Sequence, residues 1–124
     1  MPNSSFATAR KTMVACQLRP SKVTDQHVLD AFMTIPREEF VGKQQRALAY
    51  VDEDLPLPGG RCLMEPMVLA RLLQALEIRN DDNLLIVGAG CGYGTAVSAK
   101  LAGSVIAIET RANLVEKAQD VLVS

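Results

Sequence analysis

Leu84-Leu85-Ile86-Val87-Gly88-Ala89-Gly90-Cys91-Gly92-Tyr93-Gly94-Thr95 sets the architecture of this chain. Leu84 to Val87 is a branched apolar run and reads as a buried parallel strand. The glycines that follow carry no Cβ, so the backbone can turn sharply and approach a ligand closely. Thr95 to Ala102 then reads as a helix, and the loop delivers the free N–H groups of its N-terminus above the strand. A second apolar run, Val105-Ile106-Ala107-Ile108, ends at Glu109. That acid stands about 20 positions after Gly88, close to the spacing at which nucleoside-binding folds set a carboxylate against ribose hydroxyls. Strand, loop, helix, strand and acid together make one βαβ unit.

The glycine spacing narrows the ligand. A dinucleotide fingerprint, G-x-G-x-x-G, fails here because its last position falls on Tyr93 counted from Gly88, or on Thr95 counted from Gly90. The chain instead has G-x-G-x-G with the additional Gly94. This resembles the first motif of the Rossmann-like S-adenosylmethionine-dependent methyltransferases, whose ligand has no pyrophosphate to seat. The resemblance implies that Gly88, Ala89, Gly90, Gly92 and Tyr93 line the cofactor, with loop amides facing its methionine part, and that Glu109 binds its ribose. A glycine-rich turn in some other α/β protein is the alternative reading of the loop alone.

Bulk properties exclude several classes. With 124 residues there is room for one domain, and an apolar content of 48% supports a packed core. A net charge of −1 gives no electrostatic footprint for nucleic acid or an anionic membrane. No apolar run approaches the roughly 20 residues of a membrane span. Nor do Pro2-Asn3-Ser4-Ser5 open a signal peptide. Cys16, Cys62 and Cys91 are far apart and form no C-x-x-C, which suits a reducing compartment; the expected location is the cytoplasm. With one histidine and no cysteine cluster, no metal site is expected.

Taken in order, Phe6 to Leu18 shows a helical stripe through Phe6, Ala9, Met13 and Val14, broken by Arg19-Pro20-Ser21. Thr24 reads as the N-cap of a second helix with Asp25 in its first turn, and Val28, Leu29, Phe32, Met33 and Ile35 as its buried face. His27 near its start reads as a surface residue. Pro36 opens a short helical turn, Pro36-Arg37-Glu38-Glu39-Phe40. From Val41 to Arg61 periodicity is lost, and the stretch reads as ordered loop or short extended pieces around a turn. Asp52, Glu53 and Asp54 read as a solvated loop rather than a metal site. Pro66 starts a third helix with a stripe of Met67, Ala70, Leu73, Leu76 and Ile78. Asn80-Asp81-Asp82-Asn83 is a turn cluster, and Arg111 to Leu122 is a last amphipathic helix through Leu114, Ala118, Val121 and Leu122.

The N-terminal segments carry a second resemblance. Met13-Val14-Ala15-Cys16-Gln17-Leu18 resembles the M-V-x-x-Q-L opening of the protein-L-isoaspartate O-methyltransferases. Val28-Leu29-Asp30-Ala31 and Pro36-Arg37-Glu38-Glu39-Phe40-Val41 are similar to that family's V-L-x-A and P-R-E-x-F-V segments. Arg46, Ala49, Tyr50, Asp52, Leu55 and Pro56 follow its R-x-x-A-Y-x-D-x-x-L-P line, and the glycine loop and Glu109 come next in the family's order. The resemblance spans roughly Met13 to Glu109. It implies protein repair: methylation of the carboxylate of isoaspartyl residues in damaged proteins, with S-adenosylmethionine as cofactor and isoaspartyl peptides or proteins as substrate. Substrate-side candidates are then Tyr50, Asp52, Met64 and Glu65.

The chain departs from that pattern in three places. Where the family carries T-I-S-Q-P, this chain reads Cys62-Leu63-Met64-Glu65-Pro66, so a thioether stands in place of a hydroxyl and a carboxylate in place of an amide. Ile86 stands where the family usually has an acid in the strand before the first glycine. The chain also ends at Ser124, before the further strands of the family's sheet. The expected fold class is therefore α/β: an N-terminal helical segment followed by the first βαβ unit of a Rossmann-like methyltransferase sheet, cut short. Residues 1–80 form the helical and substrate-side segment and residues 81–124 the start of the cofactor-binding domain, in one continuous globular unit. Such a two-stranded sheet exposes an apolar edge, which offers a surface for self-association. The alternatives to an isoaspartyl methyltransferase are a cofactor-binding homologue with lost or altered substrate activity, acting as a binding or interaction module, and a different nucleotide-binding α/β protein.

Overall fold

A computed structural model describes residues 2–123. Helix α1, Pro2–Met13, runs directly into a wider helical turn at Val14–Leu18, so the stripe read from Phe6 to Leu18 is helical throughout. Helix α2 spans Gln26–Thr34, and its cap is Asp25 rather than Thr24. Oδ1 of Asp25 accepts from the N–H groups of His27 (2.9 Å) and Val28 (3.4 Å). The side-chain oxygen of Gln74 accepts from the N–H groups of Thr24 and Asp25, fixing the chain's entry so that the carboxylate faces the first turn. Val28, Leu29, Ala31 and Phe32 are buried, but Met33 is not, because it lies about 100° round the helix from Phe32.

Tight turns at Arg37–Phe40 and Lys43–Leu48 lead to a hairpin of β1, Leu55–Leu57, and β2, Arg61–Leu63. Leu57 lies opposite Arg61, and the link between the strands uses Gly59 and Gly60 at positive φ. The aperiodic stretch thus contains a defined hairpin. Pro36 precedes the Arg37–Phe40 turn in an extended conformation instead of opening it. Helix α3, Pro66–Ala75, buries Ala70 and Leu73 but leaves Leu76 exposed, because Glu77 adopts a left-handed conformation and turns the chain away.

The βαβ unit follows as β3, Asn83–Val87, α4, Tyr93–Ala99, and β4, Ser104–Ile108, and α5 covers Ala112–Leu122. The two strands are parallel, with Leu85 opposite Ile106 and Val87 opposite Ile108. Helix α4 begins at Tyr93, earlier than Thr95, because Gly92 at φ 91° closes the loop and its carbonyl already accepts from the N–H of Ala96. It also ends earlier than Ala102, at Ala99.

The core lies between the N-terminal helices and α4. Leu18, Leu29, Phe32, Ala70, Tyr93 and Val97 are all essentially inaccessible. The ring of Tyr93 meets those of Phe32 and Phe40 edge-on, at centroid distances of 6.1 and 5.6 Å. The parallel strands are not buried as the apolar run predicts: Leu85 is 60% and Val87 73% exposed, and Ile106 and Ile108 share their face. A parallel strand is buried on both sides only when helices cover both faces of its sheet, and among the described residues this face is left open.

Candidate functional site

The C-terminal end of β4 delivers Glu109 beside the glycine loop. Oε1 of Glu109 accepts from the N–H of Gly90 at 2.8 Å and from Nη2 of Arg61 at 2.6 Å. Oε2 accepts from Nη1 of Arg61 at 2.8 Å and from the N–H of Arg111 at 2.9 Å. The guanidinium and the backbone cover the carboxylate, whose side chain is only 4% exposed, yet the pair sits at the rim of the molecule. Its acidity is therefore set by its donors rather than by depth. The hydrogen bonds from Arg61, then those from the N–H groups of Arg111 and Gly90, pull the Glu109 carboxyl down to about 2. The same pairing raises the pKa of Arg61.

The loop amides are used differently from the sequence expectation of free donors facing a ligand. The N–H groups of Gly88 and Ala89 both donate to the carbonyl of Ile108, that of Gly92 donates to Ala89, and that of Gly90 is held by Glu109. What the glycines provide is room. Gly88 and Gly90 have φ of 75° and 60°, and a Cβ on Gly88 would stand 3.3 Å from Nη2 of Arg61, one on Gly90 3.4 Å from Cδ1 of Leu57. The hairpin thus lies over the loop, with Leu57 and Arg61 reaching down to it. Tyr93 is placed elsewhere: its side chain is in the core, so only its backbone belongs to the loop.

Arg37 organises the other candidates. It is fully buried, with Nε donating to the carbonyl of Ala49 at 2.6 Å and Nη2 to that of Met64 at 3.1 Å. Its guanidinium carbon lies 4.7 Å from the centroid of Tyr93. Burial lowers its pKa, an effect partly offset by attraction to Tyr93. Among the described residues, Nη1 of Arg37 and the hydroxyl of Tyr93 are buried without a partner in good hydrogen-bond geometry, although the two side chains lie against each other. The hydroxyl of Tyr50 accepts from Nε of Arg10 at 2.9 Å and from the N–H of Arg37 at 3.0 Å, and donates to Oε1 of Glu38. Burial, and then donation to Glu38, push the Tyr50 phenol up to about 12. Tyr50 is thus a locked structural hydroxyl behind the loop that carries Met64.

Asp52 and Glu65 do come together. A hydrogen bond with Asp52, partial desolvation, and repulsion from Asp52, Asp54 and Glu53 hold the Glu65 carboxyl above its ordinary value. Oδ1 of Asp54 also accepts from the N–H of Glu65 at 2.8 Å, tying this acidic loop to the start of α3. Met64 is partly exposed beside them. A separate cleft of about 620 Å³ borders the hairpin at Leu57 and the loop at Cys91, with Lys43, Arg46 and Lys117 on its walls. Among the described residues no group of three or more His, Cys, Asp or Glu is placed to hold a metal ion, and no helix is long and apolar enough to cross a membrane.

Sequence reasoning missed the roles of two arginines. Arg37 stands in a segment singled out for its pattern, but a charged residue in a short turn reads as solvated. Arg61 offers no local signal, because its partner lies far along the chain on another element.

Comparison with known proteins covers almost the whole chain. The family model for protein-L-isoaspartate(D-aspartate) O-methyltransferase matches residues 9–123. Protein-L-isoaspartate O-methyltransferase 2 of Anaeromyxobacter sp. (strain Fw109-5) is 44% identical over 111 residues, 90% of this chain and 46% of that protein. The protein-L-isoaspartate O-methyltransferase of Koribacter versatilis (strain Ellin345) is 42% identical over 111 residues, 90% of this chain and 50% of its own length. A solved protein-L-isoaspartate O-methyltransferase superposes with a TM-score of 0.78 at 27% identity, covering 90% of this chain and 37% of that one. A candidate family member from Plasmodium falciparum, solved in complex with S-adenosyl-L-homocysteine, shares the fold with a TM-score of 0.76 at 20% identity, over 90% of this chain and 53% of its own. The chain thus spans about half the length of the curated relatives it matches. The resemblance of the sequence segments and the α/β fold agree with these matches, and the chain belongs to the protein-L-isoaspartate(D-aspartate) O-methyltransferase family.

Proposed function

We propose that this chain serves S-adenosylmethionine-dependent methylation of isoaspartyl carboxylates in damaged proteins. The observation that carries this reading is the Glu109 carboxylate at the end of β4, hydrogen-bonded to the N–H of Gly90 inside a loop whose glycines leave space for a ligand. The donor set fits the cofactor: a carboxylate accepts from a ribose diol, and the positive-φ glycines allow close backbone approach. Gly88, Ala89, Gly90 and Gly92, with the backbone of Tyr93, would line the cofactor, and Glu109 would hold its ribose. When bound, S-adenosylmethionine supplies a methyl group on a positively charged sulfur, which leaves as a neutral thioether once a carboxylate oxygen takes the methyl.

The chain's own task is orientation. A substrate carboxylate with a reference pKa of about 4 is ionised at pH 7, so no base has to remove a proton. Alignment of the reacting groups can supply roughly 7–11 kcal/mol. Residues up to 80 present the substrate side, through Met64, Glu65 and Asp52 with Tyr50 and Arg37 behind them. Residues from 81 begin the cofactor side. The three free cysteines suit a reducing cytoplasm.

Calorimetric titration with S-adenosylmethionine tests the seat: the wild-type chain binds, and Glu109→Gln weakens binding at least about tenfold, the loss of a charged acceptor. Equal affinities would contradict the assignment. A second reading, a homologue with an altered substrate, draws support from the acids around Met64, which repel an incoming carboxylate. Methyl transfer to an isoaspartyl peptide that appears only in Met64→Ser/Glu65→Gln would favour it; transfer by the wild type would exclude it.

A further inference from the structure

The Glu109 carboxylate has no acceptor capacity to spare. Arg61 occupies one site on each oxygen, and the N–H groups of Gly90 and Arg111 occupy the others. A carboxylate offers about four such sites. A diol that donates two hydrogen bonds to Glu109 must therefore displace two donors. Gly90 and Arg111 donate from backbone in the loop and at the start of α5, so neither leaves without unfolding the site. Arg61 reaches across from β2 on a side chain that is 29% exposed, and it leaves by changing rotamer. Its Nη2 also fills the space over Gly88, so the guanidinium stands where a ligand over the loop would lie.

We propose that Arg61 is an exchangeable carboxylate clamp that holds Glu109 in the ligand-free chain and is released to the substrate carboxylate when a ribose diol takes Glu109. This rests on the cofactor and substrate class given above. Three observations converge on it. The guanidinium already grips a carboxylate through two parallel N–H···O bonds, the geometry a free carboxylate would need. Arg61 begins the strand that leads to Met64, about 10 Å along extended backbone. The surroundings of Met64 are acidic, with Asp52, Asp54 and Glu65, so an anionic substrate requires a cation there. Arg37, which also reaches Met64, is sealed and committed to the carbonyls of Ala49 and Met64.

A guanidinium held on Glu109 through both Nη groups cannot also grip a carboxylate beside Met64, about 10 Å along the strand, so the two binding events are coupled and each ligand tightens the other. The test is calorimetry on the 124-residue chain with S-adenosylhomocysteine, and with an isoaspartyl peptide in its presence and absence. For the wild type, S-adenosylhomocysteine tightens peptide binding about tenfold, within the usual range of coupling. In Arg61→Gln, S-adenosylhomocysteine binds several-fold tighter, because nothing has to be displaced, while the peptide binds about tenfold weaker. Arg61→Lys keeps the charge without the fork and falls between the two. Opposite signs for the two ligands are the signature, since a damaged fold would weaken both. If Arg61→Gln leaves cofactor affinity unchanged or lower while the wild type binds, the clamp is wrong and the cofactor seat stands. If neither protein binds S-adenosylhomocysteine, the seat itself fails and the clamp with it.

Discussion

The helical half of the molecule and its parallel strands use apolar residues in opposite ways. Phe32 packs edge-on against Tyr93, with Leu18, Leu29 and Val97 sealed in the same core, whereas Leu85, Val87, Ile106 and Ile108 line an open face. The polar groups divide along the same line. Arg37 and Tyr50 are buried and fixed to carbonyls, a backbone N–H and a carboxylate, whereas Glu109 and Arg61 pair at the rim. A sealed network sets shape, because every broken bond leaves a desolvated group behind. A rim pair can change partners, because water and ligands compete for it. The difference assigns architecture to the first region and ligand exchange to the second.

The sharpest way to break this comparison is to attack the sealed half. Phe32→Ala removes a fully buried ring that packs on Tyr93, and it should cost about 3–5 kcal/mol in urea unfolding. A loss below about 1 kcal/mol would mean that this core is not the one that holds the fold. Arg37→Met keeps much of the volume but strips the donors from the carbonyls of Ala49 and Met64, and about 2–4 kcal/mol should go. The same change at Arg61 should cost less, because Glu109 keeps the N–H groups of Gly90 and Arg111 and the arginine is more exposed than Arg37.

The rim pair has its own signature in acid. The Glu109 carboxyl sits at about 2 in the fold, below its ordinary 4.5, so the folded chain binds fewer protons than the unfolded chain between those values. Its stabilisation is complete above pH 4.5 and is lost as pH falls toward 2. The stability gap between the wild type and Glu109→Gln should therefore close across that window, read as converging urea midpoints. A gap independent of pH there would contradict the ion pair. The smallest effect belongs to the open face: Val87→Thr, at a site 73% exposed, should change stability by no more than about 0.5 kcal/mol.

Much of this division was legible in the sequence, and its limits follow from distance along the chain. The strand, loop and acid were readable because glycine and apolar runs leave a local signature, and the N-terminal helices were readable from their period. Periodicity places Met33 and Leu76 in the core, although both are exposed, because it locates a stripe but not its margin. The resemblance places Tyr93 with the loop, although the helix starting there turns its ring into the core. The apolar runs predict buried strands, but burial depends on what covers the sheet. Arg61 was invisible because its meaning lies in a partner on another element.

The most direct test of the central claim is to follow the backbone amides of the isotopically labelled chain by NMR while S-adenosylhomocysteine is added. The account predicts that Gly88, Gly90 and Arg111 shift first, with the side-chain Nε–H of Arg61 moving as Glu109 changes partner. Shifts confined to the cleft walls around Lys43, Arg46 and Lys117, with the glycine loop unmoved, would contradict it.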